Sequence, residues 1–257
     1  MIKAIFLDFD GTVFSHHTSS IPSSTVNAIR KLREKGIFCF LCTGRAIGEM
    51  HDFDLSDFPL DGWIMSNGQV ILDENMNFIY EKKVEGKLKD TIIDLFNEKK
   101  IPMYVVTREE YYINYLNQTV LNIQSVISSG IPPVKEYKGE DIYMASAFFS
   151  SQEERQILKE FDGIAEITWW NEGAVDIIPK GVSKISGINE ILKRYEIDVL
   201  ETMAIGDGQN DIPMIQYCAI GVAMGNSYEE VKQYADYITD DIDEDGLYNA
   251  LKHYELL

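Results

Sequence analysis

The first apolar run of the chain, Ile2–Leu7, ends in LDFDGT, so two acids, Asp8 and Asp10, stand one residue apart. Side chains two apart on a strand share a face, and Gly11 lets the chain turn sharply just beyond them. Both carboxylates therefore address one small site. Like charges so placed resist desolvation and raise one another's pKa, so the pairing calls for a cation or for chemistry that uses two acids. Attack on phosphorus is such a chemistry. Asp8 would be the nucleophile, forming an aspartyl-phosphate. Asp10 would protonate the leaving alcohol and later deprotonate water. An ordinary turn with two solvated acids has the same five residues.

Three further stretches have matching chemistry, each at the end of an expected strand or the start of an expected helix, the rim where open parallel sheets bind ligands. In LCTGR, the Thr43 hydroxyl and the Gly44 amide make an anion-receiving corner with Arg45 beside it; a capped strand-to-helix turn reads the same way. In PKGVSK, Lys180 lies where a helix begins and the helix dipole is already positive, which suits a lysine that pairs with phosphate and with the nucleophilic carboxylate. A solvated surface lysine is the alternative. In IGDGQNDIPM, Asp207 and Asp211 flank a glycine-containing turn and Pro213 falls in the first helical turn. Hard oxygen ligands in such a loop suit Mg²⁺.

The elements that must carry these residues follow from periodicity. Ile2–Leu7, Ile37–Leu41 and Trp63–Met65 are short continuous apolar runs, as in parallel strands covered on both faces. Between the first two, Val26, Ile29 and Leu32 keep helical spacing over Ser23–Lys35, with Ser23 or Ser24 as the cap. Near residue 80 the pattern changes to short alternating strands (MYVVT, YYINYL, YMASAFF, ITWWN) and two helices, Lys87–Lys99 and Gln152–Phe161. After Pro179 the first regime returns, with a helix over Val182–Tyr195, a strand over Thr202–Ile205, a helix over Ile212–Tyr217 and a strand over Ile220–Ala223. The expected fold is α/β, a parallel-sheet core built from 1–81 and 179–257 with an α+β domain inserted at 82–178.

Composition narrows the partners. A formal charge of −19 on 257 residues argues against nucleic acid and against anionic membranes, and no apolar stretch reaches the length of a membrane span. Met1 leads directly into a strand pattern with no room for a basic leader, so the expected location is cytoplasmic. Cys39, Cys42 and Cys218 fit a reducing compartment, and the first two lie in a buried run with no second pair to complete a zinc site. Asp241, Asp243, Asp245 and Gly246 imitate the start of an EF-hand loop, but Lys252 stands where a bidentate glutamate is required. His16 and His17 adjoin the first motif and are read as loop residues. Of Trp169 and Trp170, one is read as core. Asn117-Gln118-Thr119 has the form of a sequon but lacks the secretory signal that would give it meaning.

Taken in order, Asp8-Phe9-Asp10-Gly11-Thr12, Thr43-Gly44-Arg45, Lys180 and Gly206-Asp207-Gly208-Gln209-Asn210-Asp211 resemble the four motifs of haloacid dehalogenase superfamily phosphatases, in particular the Cof-type branch, subfamily IIB. SNG at 66–68, GVAMGN at 221–226 and DEDG at 243–246 also resemble that branch, so the likeness spans almost the whole chain. The resemblance implies a Rossmann-like core with a C2 cap. It implies Mg²⁺ held by the Asp8 side chain, the Asp10 carbonyl and Asp207, with Asp211 supporting. It also implies phosphate or substrate contacts from Thr43, Gly44, Arg45, Asn210 and Asn67. The expected activity is hydrolysis of a small phosphorylated metabolite, a sugar phosphate or a phosphorylated cofactor. A phosphomutase, a phosphotransferase and a non-catalytic phosphometabolite sensor remain the alternatives.

Overall fold

In the computed structural model, which describes residues 1–257 except 52, 54, 56, 57, 109, 128 and 129, the first apolar run becomes strand β1 (Ala4–Leu7), buried at every position. Strands β2 (Phe38–Cys42) and β3 (Gly62–Met65) follow in parallel beside it. Strand β4 (Val70–Asp73) then reverses direction, because only the four residues 66–69 separate it from β3, too short a link for a parallel crossover. That link turns on left-handed backbone at Ser66, Asn67 and Gly68. Strand β5 (Phe78–Glu81) completes this edge.

The chain next builds a separate antiparallel sheet from β6 (Met103–Val106), β7 (Tyr111–Ile113), β8 (Met144–Phe148), β9 (Ala165–Asn171) and β10 (Ala174–Pro179), ordered β7-β6-β8-β10-β9. It then returns to the first sheet with β11 (Thr202–Gly206), β12 (Ile220–Ala223) and β13 (Tyr237–Ile238), giving the order β13-β12-β11-β1-β2-β3-β4-β5. Strand β1 thus has β2 on one side and β11 on the other, both parallel to it. The strand order changes direction there, and such a switch opens a crevice at the carboxyl ends of the strands. The fold is α/β with a parallel-sheet core.

Two compact units result. One comprises Met1–Thr43, Asp54–Tyr80 and Ser183–Leu257; the other comprises Gly44–Phe53 and Glu81–Val182. Sequence periodicity puts the whole of 1–81 together, whereas Gly44–Phe53 packs with the second unit. Its short helix Ile47–Met50 brings Gly48 against the Tyr111 ring so closely that a Cβ there would lie 3.1 Å from it.

Three local expectations change. Helix Ser23–Glu34 has Pro22 at its N-cap and no side-chain cap, since Ser24 Oγ instead donates to Asp245 Oδ1 at 2.5 Å. The helix expected over Gln152–Phe161 is a 3₁₀ segment, Glu154–Phe161, in which only Phe161 is fully buried, so little packing holds an α-turn. Asn117, the sequon residue, caps helix Gln118–Val126 by accepting from the Val120 N–H.

In the first unit, Cys42 and Cys218 sit in a core with Phe6, Phe40, Ile64 and Ile188. Burial pushes the Cys218 thiol up to about 11, as suits a packing residue. In the second unit, Trp169 packs on the core that includes Val105, Ala147 and Val175, while Trp170 donates its indole N–H to Asp176 Oδ1 at 2.9 Å. The acids of the EF-hand lookalike are spent on internal bonds. Asp241 caps the turn at Asp243 N, Asp243 accepts from Ser15 Oγ at 2.6 Å, and Asp245 accepts from Ser24.

Candidate active site

Asp8 continues the β1 ladder by one residue, its N–H bonding to the Ile205 carbonyl at 3.0 Å, and its side chain is turned into the protein, 6% exposed. A lysine meets it. Helix Lys184–Tyr195 begins after Ser183, whose hydroxyl accepts from the Ser186 N–H while Ser186 Oγ accepts from the Ser183 N–H. This reciprocal cap makes Lys184 the first helical residue, and a first-turn side chain slants back toward the amino end. Its ammonium reaches Asp8 Oδ1 at 2.5 Å and Asp211 Oδ1 at 2.6 Å. The helix can lie this close because Gly187 and Gly68 have no side chain; a Cβ on Gly187 would sit 2.5 Å from Ile64 Cγ2 and 3.1 Å from Gly68 Cα.

Asp211 also closes its own loop. Its second oxygen accepts the N–H groups of Asp207 at 3.0 Å and Gly208 at 2.9 Å, which leaves this fully buried carboxylate committed on both oxygens. Gly11, with φ +72°, lets the chain pass over Asp207, where any Cβ would fall 2.2 Å from Asp207 Oδ2. Asn226 spans the same corner, its amide donating to the Gly11 carbonyl at 2.8 Å and its oxygen accepting the Ile242 N–H at 3.0 Å.

The electrostatics follow from this crowding. Burial, then Asp211 and Asp10, push Asp8 up to about 7, against the pull of Lys184. Burial and the charges of Asp8, Asp211 and Asp10 hold Asp207 well above the ordinary carboxylate range. Burial alone would lower Lys184, but Asp211 and Asp8 outweigh it and the ammonium is held above its ordinary value. One lysine thus faces more negative charge than it neutralises. Carboxylate oxygens of Asp8, Asp207 and Asp211 all lie within 4.8 Å of one another. An all-oxygen donor set with surplus negative charge suits a hard divalent cation such as Mg²⁺.

Asp8, Asp207 and Asp211 come together, with Asp10 near enough to act on Asp8. The Asp10 side chain is outside the oxygen cluster; its expected ligand atom is the backbone carbonyl. Thr43 is buried at the end of β2, its N–H bonded to the Ile64 carbonyl and its carbonyl to the Asn67 N–H. Asn210 is half-buried in the 3₁₀ turn Gln209–Asp211 that follows β11. Gly44 and Arg45 belong to the second unit, where the Arg45 guanidinium lies over the Phe53 ring and donates to the Ile127 carbonyl at 3.0 Å.

Lys180 requires correction. It is exposed in the turn after β10, where Gly181 takes a left-handed φ, and Lys184, four residues on, is the lysine that contacts Asp8. The helix expected from Val182 begins at Lys184, so Lys180 lies outside it. The spacing Ser183-x-x-Ser186 marks the true start and was the available signal.

Comparison with known proteins places the chain in a family. Residues 5–251 match the family described as haloacid dehalogenase-like hydrolase. YkrA of Bacillus subtilis (strain 168), which carries a provisional phosphatase name, is 31% identical over 99% of this chain and 98% of its own. YcsE of the same organism, a 5-amino-6-(5-phospho-D-ribitylamino)uracil phosphatase, is 29% identical over 99% of this chain and 96% of its own. Among solved structures, the HAD subclass IIB sugar phosphatase BT4131 superposes with a TM-score of 0.88 at 32% identity, covering 99% of this chain and 100% of that one.

Proposed function

The chain belongs to the haloacid dehalogenase-like hydrolase family and is a phosphatase, and from that membership we propose that it hydrolyses small phosphorylated metabolites through a phosphoryl group carried transiently on Asp8. The observation that carries the reading is the Asp8 carboxylate, buried yet anchored through one oxygen by Lys184. A fixed rotamer and a neighbouring cation are what a carboxylate needs in order to approach an anionic phosphate.

In the first half-reaction an Asp8 oxygen bonds to phosphorus as the bond to the leaving oxygen breaks, and Asp10 gives that oxygen its proton. In the second, a water oxygen bonds to phosphorus, Asp10 takes the water's proton, and the bond to Asp8 breaks to release phosphate. Asp10 contributes on the order of 10²–10⁴ in rate by this transfer. Lys184, in place of Lys180, holds Asp8 and balances its charge. Thr43 and Asn210 are proposed phosphate contacts, together with the Gly44 amide and Arg45.

Mg²⁺ would be held by Asp8, the Asp10 carbonyl and Asp207, with Asp211 supporting them, and bound there it would neutralise charge on the phosphoryl oxygens. The inserted unit, proposed as a cap over 82–178, would select the leaving group. YcsE and BT4131 act on phosphates of a ribityl compound and of sugars, and this supports a phosphorylated polyol or sugar here, with phosphorylated cofactors the wider class.

The test is Asp8→Asn with p-nitrophenyl phosphate and Mg²⁺. Loss of at least about 10³ in kcat is expected for removal of a nucleophile. Near-wild-type turnover would show that phosphorus is not attacked by this side chain.

A further inference from the structure

His16 lies outside the four motifs, yet its ring reaches the acid assigned to proton transfer. His16 Nε2 is 2.8 Å from Asp10 Oδ1, with the two side chains 28% and 35% exposed. The other ring nitrogen, Nδ1, is buried and has no hydrogen-bond partner among the described residues. A carboxylate oxygen accepts, so Nε2–H is the donor of this bond to Asp10 Oδ1.

The ring is also held in place. It packs edge-on against Phe14 at 5.4 Å and 76°, and Phe14 stacks on Phe9 at 5.5 Å and 19°. The loop that carries it is pinned by Gly11 N–H to the Phe14 carbonyl at 2.9 Å and by paired bonds between Ser15 and Ser20. Phe9, Asp10, Phe14 and His16 therefore form one braced turn, and a surface histidine without a task needs no such bracing.

We propose that His16 is a positioning residue for Asp10: its Nε2–H holds Oδ1, fixing the orientation of the carboxyl group that gives a proton to the leaving oxygen and later takes one from water. The inference rests on the reading of Asp10 as the proton-transfer group. Positioning of a general acid is felt most where the leaving oxygen needs its proton most. Phenyl phosphate, with the more basic phenol, depends on that proton more than p-nitrophenyl phosphate does.

The experiment measures kcat and KM on both esters, in Mg²⁺, for wild type, His16→Ala, His16→Gln and Asp10→Asn, with folding checked by circular dichroism. His16→Ala is expected to lower kcat on phenyl phosphate about tenfold, a fraction of what general-acid catalysis supplies, and on p-nitrophenyl phosphate by less than about threefold. KM should stay unchanged. His16→Gln, whose amide can donate to the same oxygen, is expected to recover most of the loss. Equal losses of His16→Ala on the two esters, or a Gln variant as impaired as Ala, would overturn the positioning role. If Asp10→Asn shows the leaving-group dependence and His16→Ala does not, this inference fails alone. If Asp10→Asn shows none, the reading of Asp10 fails and this inference with it.

Discussion

Burial and the carboxylates of Asp211 and Asp10 raise Asp8 to about 7, although Lys184 pulls the other way. The consequence for stability has a definite sign. A carboxyl whose folded pKa lies above its ordinary 3.8 contributes fully to folding below 3.8 and loses that contribution as pH rises through about 7. In chelator, Asp8→Asn should therefore gain on wild type across that window, by several degrees in Tm, at about 2–4 °C per kcal/mol. Melting curves at pH 4 and pH 8 would show it, and a gap that stays flat or narrows with pH would contradict it. The lysine tells the same story. Lys184→Met leaves buried carboxylates uncompensated, with an expected cost of about 3–5 kcal/mol in stability. It should also cost at least about 100-fold in kcat, a loss of preorganised charge. Lys180→Met, at an exposed turn position, should cost far less, and steady-state assays of the pair decide between the two lysines. Sequence alone marked Asp8, Asp207 and Asp211, because acids at strand ends are chemically conspicuous. It did not mark Lys184 or the His16–Asp10 bond. The first depended on one capping serine, and the second on a loop closing back over six residues.

At the level of strands and helices, legibility followed the strength of the apolar signal. The runs around β1, β2 and β3 were read to within two residues, and Ile212–Tyr217 and Ile220–Ala223 to the residue. Continuous burial in a parallel sheet leaves little ambiguity. Where tertiary contacts decide, periodicity carries less information. Ser24 spends its hydroxyl on Asp245 and not on a helix cap, and Glu154–Phe161 has too little buried surface to hold an α-helix. The placement of helix Lys184–Tyr195 is another tertiary matter. It rests on Gly187 meeting Ile64 and Gly68, a contact invisible to periodicity. Gly187→Ala should cost about 1–3 kcal/mol by overpacking, read as a lower urea midpoint. Because Lys184 lies one turn earlier on the same helix, kcat should fall with it. An unchanged midpoint would mean that the helix shifts freely.

For the whole molecule, the charge of −19 works against its own proposed substrate, a phosphate anion. Monovalent salt shortens the Debye length to about 10 Å at 0.1 M. With free Mg²⁺ held constant, kcat/KM should therefore rise roughly twofold between 10 and 150 mM salt. A steady decline would point to local attraction outweighing the global field. The chain also passes between its two units four times, because Gly44–Phe53 belongs with Glu81–Val182 and not with the residues on either side of it. An exchange of specificity modules between relatives is therefore not a single cut and paste. A graft of Glu81–Val182 alone would leave the recipient's own Gly44–Phe53 facing a foreign Tyr111, and a working chimera must transplant both pieces together.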